Sequence, residues 1–95
     1  MAHFLVEYAD TSKAAQREAL RPDHIAYRKG LGDALRLAGP LLDHDGQPVG
    51  SVVIIDAPDR VAVETLARAD PYVAAEVLQL VSVRACRIAA MRRPG

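Results

Sequence analysis

The sequence predicts an α+β fold in which four strands and two helices follow one another as βαββαβ. Three observations carry this. Residues 3–8 alternate with Phe4, Val6 and Tyr8 on one face and His3, Leu5 and Glu7 on the other, the pattern of a half-covered strand. Residues 50–56 are almost continuously apolar through Val52, Val53, Ile54 and Ile55, as a central strand covered on both faces is. Elsewhere apolar residues recur at three- and four-residue spacing, which is helical.

Each element has its own justification. In the first strand Leu5 stands among His3 and Glu7, so the second face is mixed and invites a cover. Asp10-Thr11-Ser12 closes that strand and offers a side-chain cap for a short helical turn through Leu20. Pro22 then interrupts, because proline restricts the residue before it and fits the first position of a new helix. The main helix is expected over residues 23–37, with His24, Tyr27, Leu31, Ala34, Leu35 and Ala38 on its inward stripe. His24 thus falls in the first turn. Gly30 and Gly32 weaken such a helix by up to about 1 kcal/mol each relative to alanine, or permit close packing.

Residues 37–42 read as the second strand, broken by Gly39-Pro40, which marks an edge or a bulge. Asp43-His44-Asp45-Gly46-Gln47-Pro48 is turn chemistry throughout. After the third strand, Asp59 caps a second helix whose Val63, Leu66, Ala67 and Asp70 face inward, and Pro71 ends it. A turn over residues 72–77 leads to a last strand over residues 80–91. Residues 92–95 read as a loose tail.

A chain of 95 residues has room for one core, so residues 1–95 are expected to be a single domain. Hydrophobic residues make up 51% and charged ones 25%, a globular rather than disordered balance. Twelve basic residues against twelve acidic ones leave no electrostatic footprint for nucleic acid or an anionic membrane. Arg84, Arg87, Arg92 and Arg93 read as a solvated edge. The lone Cys86 excludes an intramolecular disulfide and a cysteine-based zinc site, and reads as an ordinary buried thiol. The start shows no basic region followed by an apolar one, and no apolar run approaches the roughly 20 residues that span a bilayer, so a soluble cytoplasmic protein is expected. Asp43-His44-Asp45 has the residue types of a hard-metal site, yet three consecutive turn residues do not converge on one ion, so no metal is expected. With no phosphate loop, dinucleotide fingerprint or Ser-His-Asp arrangement, no cofactor is expected either.

The element order is the ferredoxin-like pattern, an antiparallel sheet with both helices on one face. Following the chain direction puts the start of the first helix and the end of the second at one end of the domain. That brings His24 towards Asp70. A carboxylate accepting from one imidazole nitrogen fixes the tautomer and leaves the other nitrogen free to carry a proton. Asp70-Pro71 is equally an N-cap followed by proline at the first helical position. The two roles are compatible if one oxygen caps and the other receives the imidazole. The plain alternative for His24 is a satisfied core histidine.

Arg21-Pro22-x-His24, Ala38-Gly39-Pro40-Leu41, Gly50-Ser51 and Ala69-Asp70-Pro71-Tyr72-Val73, in this order and at this spacing, resemble the YCII-related domain family over nearly the whole chain to Val83. The resemblance implies a dimeric α+β barrel, hence a homodimer, with a pocket for a small-molecule ligand. It implies His24 and Asp70 as the active-site pair. Some members are similar to enzymes that eliminate chloride from chlorinated hydroquinones, and the wider barrel class includes muconolactone-type isomerases. The expectation is therefore a lyase or isomerase without cofactor, with His24 as general acid or base on a small cyclic or phenolic substrate and Asp70 orienting it. Arg21, Gly39, Pro40, Ser51 and Tyr72 are the expected substrate-binding residues. Arg21 would attract an anion, Gly39 would admit a ligand to the backbone, and Tyr72 would close the pocket. The segment at residues 43–49 departs from the pattern, being brief where members have a longer one that shapes the pocket. The competing reading is a non-catalytic ligand-binding or interaction module in which the His–Asp contact is structural.

Overall fold

In the computed structural model, which describes residues 2–92, strand β1 (Ala2–Asp10) is paired on both flanks. Its neighbours are β3 (Pro48–Ala57) and β4 (Leu78–Cys86), and β2 (Leu35–Leu42) lies outside β3. The sheet is antiparallel with order β2-β3-β1-β4. Register turns the period-two pattern of β1 into a core. Phe4 sits opposite Ile55, and Val6 lies between Val53 and Val83. Cross-strand partners share a face, so these residues form one buried layer with Tyr8. Helix α2 (Arg60–Arg68) lays Val63 and Ala67 on that layer, and its cap is the expected one, Asp59 accepting from the Ala62 N–H at 2.8 Å.

The first helix differs from the sequence expectation. A single helix α1 spans Ala14–Gly30 with Pro22 inside it, instead of a short turn followed by a helix over residues 23–37. Proline removes the bond to the carbonyl four residues back, here Glu18, and crowds it. Pro22 and Glu18 are both exposed, so the break falls on the solvent side of the helix, where a carbonyl without its helical partner is cheapest, and the helix continues. The cap expected from Asp10-Thr11-Ser12 does not form; Lys13 is the N-cap, without a side-chain bond. Ser12 takes a left-handed φ of 65°, and the Thr11 hydroxyl instead donates to the Glu76 carbonyl at 2.6 Å. At the other end Gly32, at φ 56°, stops the helix in a 3-10 turn over Gly32–Ala34. Leu35 and Leu37 consequently belong to β2, opposite Ile55 and Ile54.

Pro40 lies in β2 opposite Ser51, on an edge strand where its missing donor costs no ladder bond. The β2–β3 turn is shaped by Asp43, whose Oδ1 accepts from the N–H groups of Asp45 and Gln47, each at 2.9 Å. Pro71 does not merely end α2: it opens a further short helix, α3 (Pro71–Ala74), capped by Asp70. β4 stops at Cys86 rather than Met91, and residues 87–92 have no regular structure. Of the expected loose tail at residues 92–95, residues 93–95 lie outside the described residues.

Candidate active site

The inward stripe of α1 is unusually polar. Arg17, His24 and Arg28 share it with Leu20, Tyr27 and Leu31, all at helical spacing and all half-buried. His24 stands well inside the helix, not in its first turn. What brings Asp70 to it is α3, which packs against α1 and carries Asp70 as its cap.

Asp70 is fully buried. Its Oδ1 accepts from the Tyr72 N–H at 2.9 Å and meets His24 Nδ1 at 2.8 Å. The sequence expectation divides these duties between two oxygens; the structure gives both to one. The other, Oδ2, has no hydrogen bond and faces Arg28 Nε at 3.7 Å. The rings of His24 and Tyr72 stack, with centroids 4.0 Å apart and planes 7° from parallel. The Tyr72 hydroxyl donates to the Arg17 carbonyl at 3.1 Å, and the Arg17 guanidinium lies over the Tyr72 ring at 5.5 Å. Below the site, Tyr27 donates to the Leu66 carbonyl. Burial, reinforced by the Asp70 charge, pushes the Tyr27 hydroxyl up to about 12. Burial pushes Tyr8 up as well, although the Arg28 cation beside it acts in the opposite sense.

With Nδ1 held by Asp70, His24 turns its ring to the wall of a cleft of about 290 Å³. The facing wall comes from β2 and β3. Gly39, Pro40 and Ser51 line it, but the Ser51 hydroxyl is already engaged with the Gly39 carbonyl at 3.3 Å. A Cβ on Gly39 would meet nothing within 4 Å, so this glycine leaves the cleft open. Tyr72 closes the floor. Arg21 is exposed and does not line the cleft; the arginines that do are Arg17 and Arg28. Both are missing from the sequence-derived set, though Arg28 is four residues from His24 and so on the same helical face. Gly50 is likewise absent from it: a Cβ there would run into the carbonyl oxygen of Tyr8. A larger groove of about 420 Å³, with Lys13, Arg68 and Glu76, lies elsewhere. Its charged pair, Lys13 and Glu76 at 3.6 Å, is solvent-exposed and includes no imidazole held by a buried carboxylate, so chemistry rather than size selects the site.

The profile of the YCII-related domain matches residues 1–87. Among curated proteins none matches the chain significantly. A solved structure with the same fold is that of 5-chloro-2-hydroxyhydroquinone dehydrochlorinase from Burkholderia phenoliruptrix AC1100, in complex with 2,5-dihydroxybenzoquinone. It is 24% identical, with a TM-score of 0.75 over 90% of this chain and 93% of that one.

Proposed function

The chain belongs to the YCII-related domain family, and from that premise we propose that it is a small cofactor-independent lyase or isomerase acting on a cyclic or phenolic substrate. The observation that carries this is His24 itself. Its Nδ1 is tied at 2.8 Å to a fully buried carboxylate, while Nε2 has no partner among the described residues and belongs to a ring that lines the cleft. Nε2 takes a proton from a ring carbon or hydroxyl, and Asp70 stabilises the imidazolium that forms. The electron pair left behind either expels chloride, as in a dehydrochlorinase, or is reprotonated at another carbon, as in an isomerase. Neither course changes the number of electrons held by the organic product plus its leaving group, so no electron carrier is needed. Support for a single-ring substrate comes from the small cleft and from the ligand of the dehydrochlorinase. Gly39, Pro40, Ser51 and Tyr72 are its walls in this reading.

The competing reading, a non-catalytic binding module, is favoured by one observation: Asp70 Oδ1 also caps α3, so the His24 contact could be architectural. Long-range proton–nitrogen NMR on the neutral ring separates them at the outset. The proposal expects the Nδ1–H tautomer, with Nε2 as the free base; an Nε2–H tautomer removes the base and with it the enzyme. Chloride release from chlorinated hydroquinones should follow, falling by about 10²–10⁴-fold in His24→Asn. Binding without turnover of either chlorinated hydroquinones or lactones leaves the module.

The same proposal takes residues 1–95 as one domain acting as a cytoplasmic homodimer. Support for the dimer lies on the sheet face away from the helices, where Leu5, Leu37 and Ile54 line an apolar groove of about 380 Å³ with Met91. A lone thiol, Cys86, suits a reducing compartment, and no helix among the described residues is long and apolar enough to cross a membrane.

A further inference from the structure

Arg28 is a cation without an adequate partner. Its side chain is only 16% exposed, and its one ion-pair partner among the described residues is Asp70 Oδ2, at 3.7 Å from Nε, beyond hydrogen-bond reach. No hydrogen bond joins the guanidinium to any described residue, although it carries five N–H donors in a rigid fork. The ring of Tyr8 lies beneath it at 5.9 Å and supports it as a platform. Arg28 and His24 line the same cleft from successive turns of α1, Arg17 stands beside them, and no carboxylate is in the lining. The Asp70 charge lies behind the wall, fully buried and shared with His24.

We propose that Arg28 is the anion-binding residue of the cleft and that the substrate reaches it as a monocyclic anion, with an ionised oxygen placed on the free guanidinium donors. This deepens the reading of the cleft as a substrate site and rests on it. A buried guanidinium fork meets a planar oxygen anion with charge-assisted hydrogen bonds. Held there, the ring presents a neighbouring C–H or O–H to His24 Nε2, one helical turn away. Arg17 already has Asp10 beside it at 3.5 Å, so the charge that disfavours cationic ligands and gains little from neutral ones is chiefly that of Arg28.

Calorimetry with three single-ring probes tests this: 2,5-dihydroxybenzoquinone, a vinylogous acid ionised at neutral pH; hydroquinone, an ordinary neutral phenol; and benzoate. The expected result is that the quinone anion binds wild type at least about tenfold more tightly than hydroquinone, that its affinity falls with added salt, and that Arg28→Gln weakens the quinone anion far more than hydroquinone and so abolishes the preference. Benzoate matching the quinone identifies a carboxylate as the anion, and benzoate binding more weakly identifies a ring oxygen. The salt dependence needs no variant, so the test survives if Arg28→Gln fails to fold; Arg28→Lys, which keeps the charge but not the fork, should then retain part of the preference. Equal affinities for the charged and neutral rings, a salt-independent affinity, or a preference that persists in Arg28→Gln overturns the proposal. If His24 fails the tautomer test while the anion preference stands, proton transfer falls and the anion site remains. The reverse pattern overturns the anion site alone.

Discussion

The ring of His24 lies flat on the ring of Tyr72, 4.0 Å away and within 7° of parallel. Together with the Asp70 bond this leaves the imidazole no free rotation. Tyr72→Phe keeps the stack and loses only the bond to the Arg17 carbonyl, at a cost of about 1 kcal/mol. Tyr72→Ala removes a buried aromatic and should cost about 3–5 kcal/mol. Urea denaturation measures both, and similar losses in the two variants would show that the stack contributes nothing.

Asp70 serves α1 and α3 through one oxygen. Asp70→Ala strands the Tyr72 N–H and His24 Nδ1 and leaves Arg28 without its nearest counter-charge; breaking a buried charged cluster in this way costs about 3–5 kcal/mol. Asp70→Asn keeps an oxygen to accept both bonds and should cost clearly less. Equal destabilisation in denaturant would contradict the shared-oxygen geometry.

Two cleft glycines should respond in opposite ways. Gly50→Ala drives a methyl group into the Tyr8 carbonyl and should destabilise by about 1–3 kcal/mol, the range for overpacking. Gly39→Ala meets open space and should stay within about 0.5 kcal/mol, while narrowing the cleft and weakening ring ligands. Thermal melts and ligand titrations read the contrast directly.

Alongside Tyr8, whose hydroxyl is also pushed up by burial, Tyr27 supplies the pH dependence. Its hydroxyl is pushed up to about 12 in the folded protein, from 10.0 ordinarily. A group with a raised folded-state value holds its proton more tightly when folded. Its contribution is thus fully present below the unfolded value and is lost as pH climbs from 10 through about 12. Stability should decline over that interval, and Tyr27→Phe should make the decline shallower, the remainder coming from Tyr8. Denaturation midpoints between pH 9 and 12.5 that coincide in slope for the two proteins would exclude this origin.

The open sheet face is the surface through which the proposed dimer would form. Light scattering on the purified chain should give a dimer at micromolar concentration. Leu37→Asp, at a residue 43% exposed on the edge strand, should give a folded monomer. A monomeric wild type removes the dimer.

Local patterns were legible in the sequence, and tertiary compensation was not. Alternation in β1 and the Asp59 cap are signals confined to a few residues, and they read directly. Pro22 misleads because the penalty of an internal proline depends on whether the Glu18 carbonyl reaches water, which only the packed helix decides. Gly32 stops the helix by its left-handed φ, where composition alone suggested mere weakening. For the site, topology and resemblance pointed to His24 and Asp70, although from a helix start nine residues too late. Arg28 was within reach of spacing alone. The Gly50 contact with Tyr8 was not, because it depends on register between strands more than forty residues apart.

Strand β1 has consequences for the order in which the protein is made. Both strands that flank it, β3 and β4, follow it in the chain, and β4 closes only at Cys86. On the ribosome β1 therefore emerges before both of its partners and waits longest for β4. Until β4 arrives, the apolar edge of β1 beside Val6 is open to any other strand in the vicinity. Newly made chains caught at this stage are the vulnerable population, and a nascent-chain chaperone is most useful in the interval between release of β3 and release of β4.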